Sequence, residues 1–325
     1  MSSSWWLIFG ASLSVYTGIA VGSATRRIGW LTEEADQSLM RLVVRVLYPC
    51  LIFATVAKNA ALRQPSNVLL PPLAAMVCMS LGFAVPWLVS RLGPRVTGLD
   101  TSPQRRTFAF CVGIYNYGFI PIPLITALFD DRTLGVLFVH NVGCELVLWT
   151  LGVMFLTGAL GRRWWQQILN PPSVAIILAL AFNLSGVYAG LPPFVDTALT
   201  LLGQAAIPLS LILIGATIAD ELQPRPGTNP RKQTAKTVAW ALVLRLGLLP
   251  LAILLLAWLL PCSLELKRVL VVQASMPCGT FPIVMARHFG GDPRTGLQVV
   301  LSTSLASLLT IPLWIQTGLT LLGID

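Results

Sequence analysis

Asn116-Tyr117-Gly118-Phe119-Ile120-Pro121-Ile122-Pro123 interrupts an apolar run from Phe108 to Phe129, and its reading decides the fold. Proline removes one amide donor and clashes with the carbonyl four residues back, so a helix cannot pass through this stretch intact. A second interruption, Ser275-Met276-Pro277-Cys278-Gly279-Thr280-Phe281-Pro282, sits inside the apolar run from Val269 to Ala286. In hydrocarbon no water serves the freed backbone groups, and each left unpaired costs several kcal/mol. Two breaks at membrane depth are therefore expected to line a cavity. Gly/Pro-interrupted hydrophobic segments at matching places in two halves point to a binding site for a transported solute.

Composition supports the membrane reading. Of 325 residues, 55% are hydrophobic and only 11% charged, with mean hydropathy +0.76; soluble domains carry roughly a quarter charged residues. The net charge of +9 sits in short loops between apolar segments, where topology and anionic lipid account for it and nucleic acid is not implied. Cys50, Cys78, Cys111, Cys144 and Cys278 fall inside apolar spans and Cys262 near an end. They lack metal-ligand or disulfide spacing, so neither metal nor cofactor is expected and they read as small packing residues. The Asn183 sequon lies inside an apolar span.

Ten stretches are long enough to cross a bilayer, at about 17–25 residues each: 5–22, 39–57, 67–90, 107–129, 133–158, 171–190, 194–218, 237–260, 268–288 and 296–321. Asn170-Pro171-Pro172 reads as a helix start, a capping Asn followed by prolines where no amide is missed. Loops after odd-numbered spans carry 15 Lys/Arg and those after even-numbered spans 5; Arg45 and Arg245 within spans complete the 22. The positive-inside rule then predicts cytoplasmic odd loops and both termini outside, in a plasma (bacterial inner) membrane. RVLYPCLIFAT (Arg45–Thr55) and AIPLSLILIGAT (Ala206–Thr217) resemble one another, with Pro49 and Pro208 separated by 159 positions and Pro121 and Pro277 by 156. Five spans per half make this an inverted-topology repeat. The predicted organisation is a first repeat over 1–158, a connector over 159–169 and a second repeat over 170–325.

LYPCLIFATVA (Leu47–Ala57), the Asn-Tyr-Gly-Phe-Ile-Pro break, Asn170-Pro171-Pro172, GQAAIPLSLILIGATI (Gly203–Ile218) and SMPCGTFPIVMARHFGGD (Ser275–Asp292) together resemble the auxin efflux carrier (PIN-like) family of membrane transporters, in its prokaryotic form. The resemblance implies an all-α fold of ten transmembrane helices in two inverted five-helix repeats, akin to bile-acid symporters and sodium/proton antiporters. Broken fourth and ninth helices would cross at the substrate. It also implies a scaffold of spans 1, 2, 6 and 7, and a transport domain of spans 3–5 and 8–10 that moves elevator-fashion. Plant members carry a long loop after the fifth span. Here only Ala159 to Leu169 connects the halves, so their phosphorylation control is not carried over.

At the breaks, the half-helices beginning near Pro121/Pro123 and Pro277/Pro282 offer unpaired amides to an anion such as a carboxylate. Asn116 offers two donors and an acceptor, and the resemblance makes it a substrate ligand. Ser275 and Thr280 offer hydroxyls, while Gly118 and Gly279 allow close approach. Glu145 is the acidic residue near mid-bilayer, with Asn141 one turn before it and His140 adjacent; Arg245 lies near mid-depth in the eighth span. Charges there are functional candidates by default. Two readings compete: a fixed Glu145–Arg245 pair, or a Glu145 that takes up and releases a proton. Pro49, Phe53, Thr55, Gln204, Pro208 and Ser210 are candidates for a scaffold wall facing the crossing. Gly18-x-x-x-Gly22 permits close helix contact, hence a homodimer.

These features lead to a secondary transporter, or permease, of small organic anions, auxin-like or mono/dicarboxylate. The alternative is a sodium-coupled symporter of the bile-acid type. An intramembrane enzyme would need a nucleophile–base or metal motif such as His-Glu-x-x-His or Gly-x-Ser-x-Gly, and neither occurs. A channel would use rings of charge or filter carbonyls.

Overall fold

The computed structural model describes residues 2–158, 168–222 and 233–324. Most of the predicted connector and the loop carrying Arg225, Arg231 and Lys232 lie outside these. The described residues are helical throughout, and the one extended pairing is an isolated antiparallel bridge. The helices are α1 Ser2–Arg27, α2 Glu33–Val56, α3 Ser66–Ser90, α4 Ser102–Gly113, α5 Pro121–Leu128, α6 Asp131–Thr157, α7 Pro171–Ser185, α8 Pro193–Glu221, α9 Gln233–Leu259, α10 Leu264–Ser275, α11 Phe281–His288 and α12 Pro293–Leu322.

Seven of these, α1, α2, α3, α6, α8, α9 and α12, are long and apolar enough to cross a bilayer alone. The protein is an all-helical, multi-pass integral membrane protein. The sixth predicted span is shorter than drawn: α7 has 15 residues and stops at Gly186, whose φ of +72° ends it. The fourth and ninth predicted spans are each two short helices. Leu69, Leu73, Val77 and Leu81 form an exposed stripe along α3 at four-residue spacing, the face a bilayer covers. Ala75, Cys78, Met79 and Phe83 on its other side are buried.

The helices pack in two clusters. In the first, α1 lies along α8, and α2 packs on both α7 and α8. The closeness of α1 and α8 depends on glycine: a Cβ on Gly22 would lie 2.0 Å from the Ile212 carbonyl oxygen, and one on Gly215 1.9 Å from that of Ile19. Gly18 meets Leu211 in the same seam. The Gly18/Gly22 signal, read as a dimer contact, is thus consumed within the chain.

Ion pairs close this cluster at both ends. Arg26 Nε lies 3.0 Å from Asp220, and its Nη2 bonds Asp36. At the other end Lys58 Nζ lies 3.1 Å from Asp196, which also accepts from the Tyr188 hydroxyl. Asn183 is buried, its amide bonded to the Val56 and Asn59 carbonyls at 2.9 and 2.8 Å.

In the second cluster α3 packs on α4 and α6, α9 on α10 and α12, α12 on α4, and α10 on α6. The clusters meet along α1–α12, α1–α5 and α2–α6.

Candidate functional site

A capping box of Thr101 and Gln104 starts α4, and the helix runs to Gly113. Ile114 then turns extended (φ −90°, ψ 104°) and helix resumes only at Pro121. Pro121 has no N–H to give the carbonyl four residues back, that of Tyr117. Gln273 of α10 serves that oxygen instead, its Nε2 donating at 3.2 Å. Asn116 bridges the gap: its Oδ1 accepts the Ile120 N–H at 3.2 Å. Its Nδ2 has no hydrogen-bond partner among the described residues.

The second break is shorter. Ser263 caps α10, which ends at Ser275; Met276 is extended (φ −74°, ψ 139°), and α11 starts at Phe281 with Pro282 second. Pro277 therefore lies inside the break and does not begin the half-helix.

The two breaks cross and bind one another through their backbones. The Asn116 N–H donates to the Pro277 carbonyl at 2.8 Å, and the Gly279 N–H to the Ile114 carbonyl at 2.9 Å. Tyr115 stands opposite Cys278. Backbone groups that the two helix ends would strand in hydrocarbon are thus paired with each other, and the carbonyl that Pro121 strands is served by Gln273, which is what allows the interruptions at that depth.

The expected site residues sit differently from one another. Asn116, Pro277 and Gly279 form the crossing itself. Ser275 is fully buried and turned onto its own helix, its Oγ bonding the Val272 carbonyl at 2.7 Å. Thr280 is half-buried at the start of α11 and makes no side-chain cap. Neither glycine is sterically required: a Cβ on Gly118 meets nothing within 4 Å, and one on Gly279 makes only ordinary contacts at 3.6 Å.

Behind the crossing lies a polar chain. Gln273 Nε2 is 3.5 Å from Asn141 Oδ1, and His140 Nδ1 is 3.4 Å from that same oxygen. His140 Nδ1 lies 3.7 Å from Cys144 Sγ, which is 3.2 Å from the Tyr115 hydroxyl. His140, Gln273 and Arg245 are at most 1% exposed.

The two interior charges do not meet. Glu145 accepts from the Tyr117 hydroxyl at 2.7 Å, Trp149 Nε1 at 2.9 Å and Asn170 Nδ2 at 3.4 Å. Arg245 gives its Nε to the Met276 carbonyl at 3.0 Å and lies over the Tyr115 ring, 5.2 Å from its centroid. The expected Glu145–Arg245 pair is therefore absent. They project from α6 and α9, each of which packs on α10, and each is spent on partners of its own. Asn170, expected only as a helix cap, caps α7 through Ser173 N–H and also ties it to Glu145.

The wall candidates divide. Pro123 and Pro208 line one cavity of about 340 Å³ with Ser14, Thr17, Gly18 and Leu211, between α1, α5 and α8. Tyr48, beside Pro49, packs on Phe119 of the first break, rings 5.8 Å apart. Phe53 instead packs on Phe182 and Tyr188 within the first cluster. Thr55 and Ser210 are buried, Ser210 bonding the Ile207 carbonyl, and Gln204 is exposed.

Gln273 escaped the sequence reading. Its signal was available: a side chain with both donor and acceptor in an apolar run, two positions before Ser275.

A multi-pass membrane protein whose interior holds two hydrogen-bonded helix breaks and a buried polar chain belongs structurally with proteins that admit a solute into the bilayer. A family described as "Membrane transport protein" matches residues 7–162 and 155–315. An uncharacterized transporter of Methanothermobacter thermautotrophicus is 28% identical over 309 residues, covering 93% of this chain and 95% of that protein. An uncharacterized transporter of Methanocaldococcus jannaschii is 24% identical over 306 residues, covering 91% and 94%. The chain belongs to this membrane transport protein family, the auxin efflux carrier-like transporters.

Proposed function

We propose that the protein is a secondary transporter of small organic anions, an auxin-like indole carboxylate or a mono- or dicarboxylate. The anion is held at the crossing of the two broken helices. The observation that carries this reading is the reciprocal backbone pairing of Asn116 with Pro277 and of Gly279 with Ile114. It ties together the two segments that lead into the half-helix starts of α5 and α11, and such starts carry partial positive charge. Asn116 Nδ2 and the Thr280 hydroxyl are the side-chain donors beside them.

A ten-span, two-repeat architecture underlies the proposal. Part of the contact pattern supports it: α3–α4 has its counterpart in α9–α10 and α3–α6 in α9–α12, and between the halves α10–α6 answers to α4–α12, whereas α1–α5 and α2–α6 have no such counterparts among the described residues. The end clasps follow the same pattern, Asp36 and Asp196 each opening the second long helix of their half. The first cluster, laced by ion pairs and glycine contacts, suits a static scaffold. The second carries the crossing and suits a domain that slides against it in elevator fashion. Few polar contacts join the two, chiefly Tyr16 to Ser304 and Ser307, Asn59 to Asp131 and Arg132, and Asn170 to Glu145.

Both termini on the non-cytoplasmic side is the topology that belongs to this reading. The test is stabilisation of the purified protein by a panel of carboxylates, followed by uptake of any stabilising acid into proteoliposomes with and without sodium. Stabilisation and sodium-independent uptake are expected. Uptake that requires sodium would favour a symporter of the bile-acid type.

A further inference from the structure

The crossing brings together two helix starts and two helix ends. Starts carry about half a positive charge and ends about half a negative one. The two ends therefore work against the pull that the two starts exert on an anion, and weaken it. One residue offsets one of these ends. Arg245 lies in a five-residue π-helical turn, Leu244–Leu248, within α9. Such turns re-aim side chains and recur at functional positions. It is 0% exposed, and its Nε caps the carbonyl of Met276, at the negative end of α10. Its Nη2 has no partner among the described residues. No carboxylate of the described residues is paired with it; Glu145 spends both oxygens on Tyr117, Trp149 and Asn170. Arginine stays charged in proteins, and a buried charge without a counter-charge is costly.

The other half lacks this charge. The hydrogen-bonded residues of the crossing correspond at a spacing of 163, Ile114 with Pro277 and Asn116 with Gly279, so Pro121 and Pro277, 156 apart, are not the counterparts the sequence reading made them. At the same spacing Met276 corresponds to Gly113 and Arg245 to Gly82. Gly82 does meet the end of α4: a Cβ there would lie 2.6 Å from the Gly113 carbonyl oxygen. One helix end is covered by bare backbone and its counterpart by a guanidinium.

We infer that Arg245 sets the charge selectivity of the site: it offsets the negative end of α10, so that the positive helix starts act on an anionic solute without that opposition. It is a positioning residue for the anion rather than a wall of the cavity. This rests on the carrier reading above. The test compares Arg245→Gln, which keeps a donor for Met276 and loses the charge, with Arg245→Lys, which keeps the charge. Thermal stabilisation is titrated with indole-3-acetate and malonate, and with the neutral indole-3-acetamide and malonamide. The wild type is expected to prefer an acid over its amide. In R245Q that preference falls about ten- to a hundredfold, the worth of a unit charge roughly 6–10 Å away at an effective dielectric of about 20, and in R245K most of it survives. Should R245Q fail to fold, Arg245→Met is read in its place. A neutral variant that keeps the acid preference, or a lysine variant no better than glutamine, overturns the inference and leaves the carrier reading standing. A wild type that responds to no acid overturns both.

Discussion

Gln273 donates its side-chain amide to the Tyr117 carbonyl, the oxygen that Pro121 leaves without its helical partner. One broken helix thus repairs the other, and the two interruptions depend on each other energetically.

Replacing Gln273 by Leu strands the Tyr117 oxygen and weakens the contact with Asn141. A buried acceptor left unpaired costs about 1–3 kcal/mol, so the melting temperature of the purified variant should fall by several degrees. In a Pro121→Ala background, where residue 121 regains an N–H, the same substitution should cost less. Equal costs in both backgrounds would contradict the coupling.

Glu145 holds Tyr117 of the first break on one side and Asn170 of the first cluster on the other. On the elevator reading proposed above, Glu145, which has no fixed partner in Arg245, is the residue we propose to couple protonation to movement between the clusters. Glu145→Gln keeps the shape and removes the titration. Uptake by this variant should lose the pH dependence of the wild type while it still binds substrate; unchanged pH dependence rules the role out.

The α1–α8 seam has no room for a side chain at Gly22 or Gly215, where a Cβ would meet backbone. Gly215→Leu drives carbons into the Ile19 backbone, and overpacking of this kind costs about 1–3 kcal/mol or more. Loss of monodisperse protein on size-exclusion chromatography is expected. Gly10→Ala on the same helix, where a Cβ meets nothing within 4 Å, should be neutral.

The two end clasps should differ in weight. Arg26 is buried, its side chain 6% exposed, and Arg26→Ala removes the cation that Asp36 and Asp220 share, at a cost of about 3 kcal/mol. Lys58 and Asp196 are 43% and 42% exposed, and Lys58→Ala should cost under about 1 kcal/mol. Thermal unfolding of the two variants side by side checks the order.

Membrane class and both breaks were legible because proline chemistry is local: Pro121 and Pro282 act on the helix they sit in, wherever that helix packs. Partner choice was not. Gly18 and Gly22 announce that something approaches closely, but whether it is α8 or a second chain depends on the three-dimensional arrangement. Glu145 and Arg245 were natural partners by charge and depth, yet which faces of α6 and α9 look toward each other is set by helix rotation, and uniformly apolar helices carry little record of it. Gln273 was overlooked for a related reason: its role is to complete a defect 156 positions away, at Tyr117.

Uptake of a labelled carboxylate into proteoliposomes, wild type against Asn116→Ala, bears most directly on the crossing as the place where a solute is carried. The wild type should accumulate an acid that stabilises it, and the variant should lose both the stabilisation and the uptake while remaining folded. An alanine variant that binds and transports like the wild type would contradict a site at these two breaks.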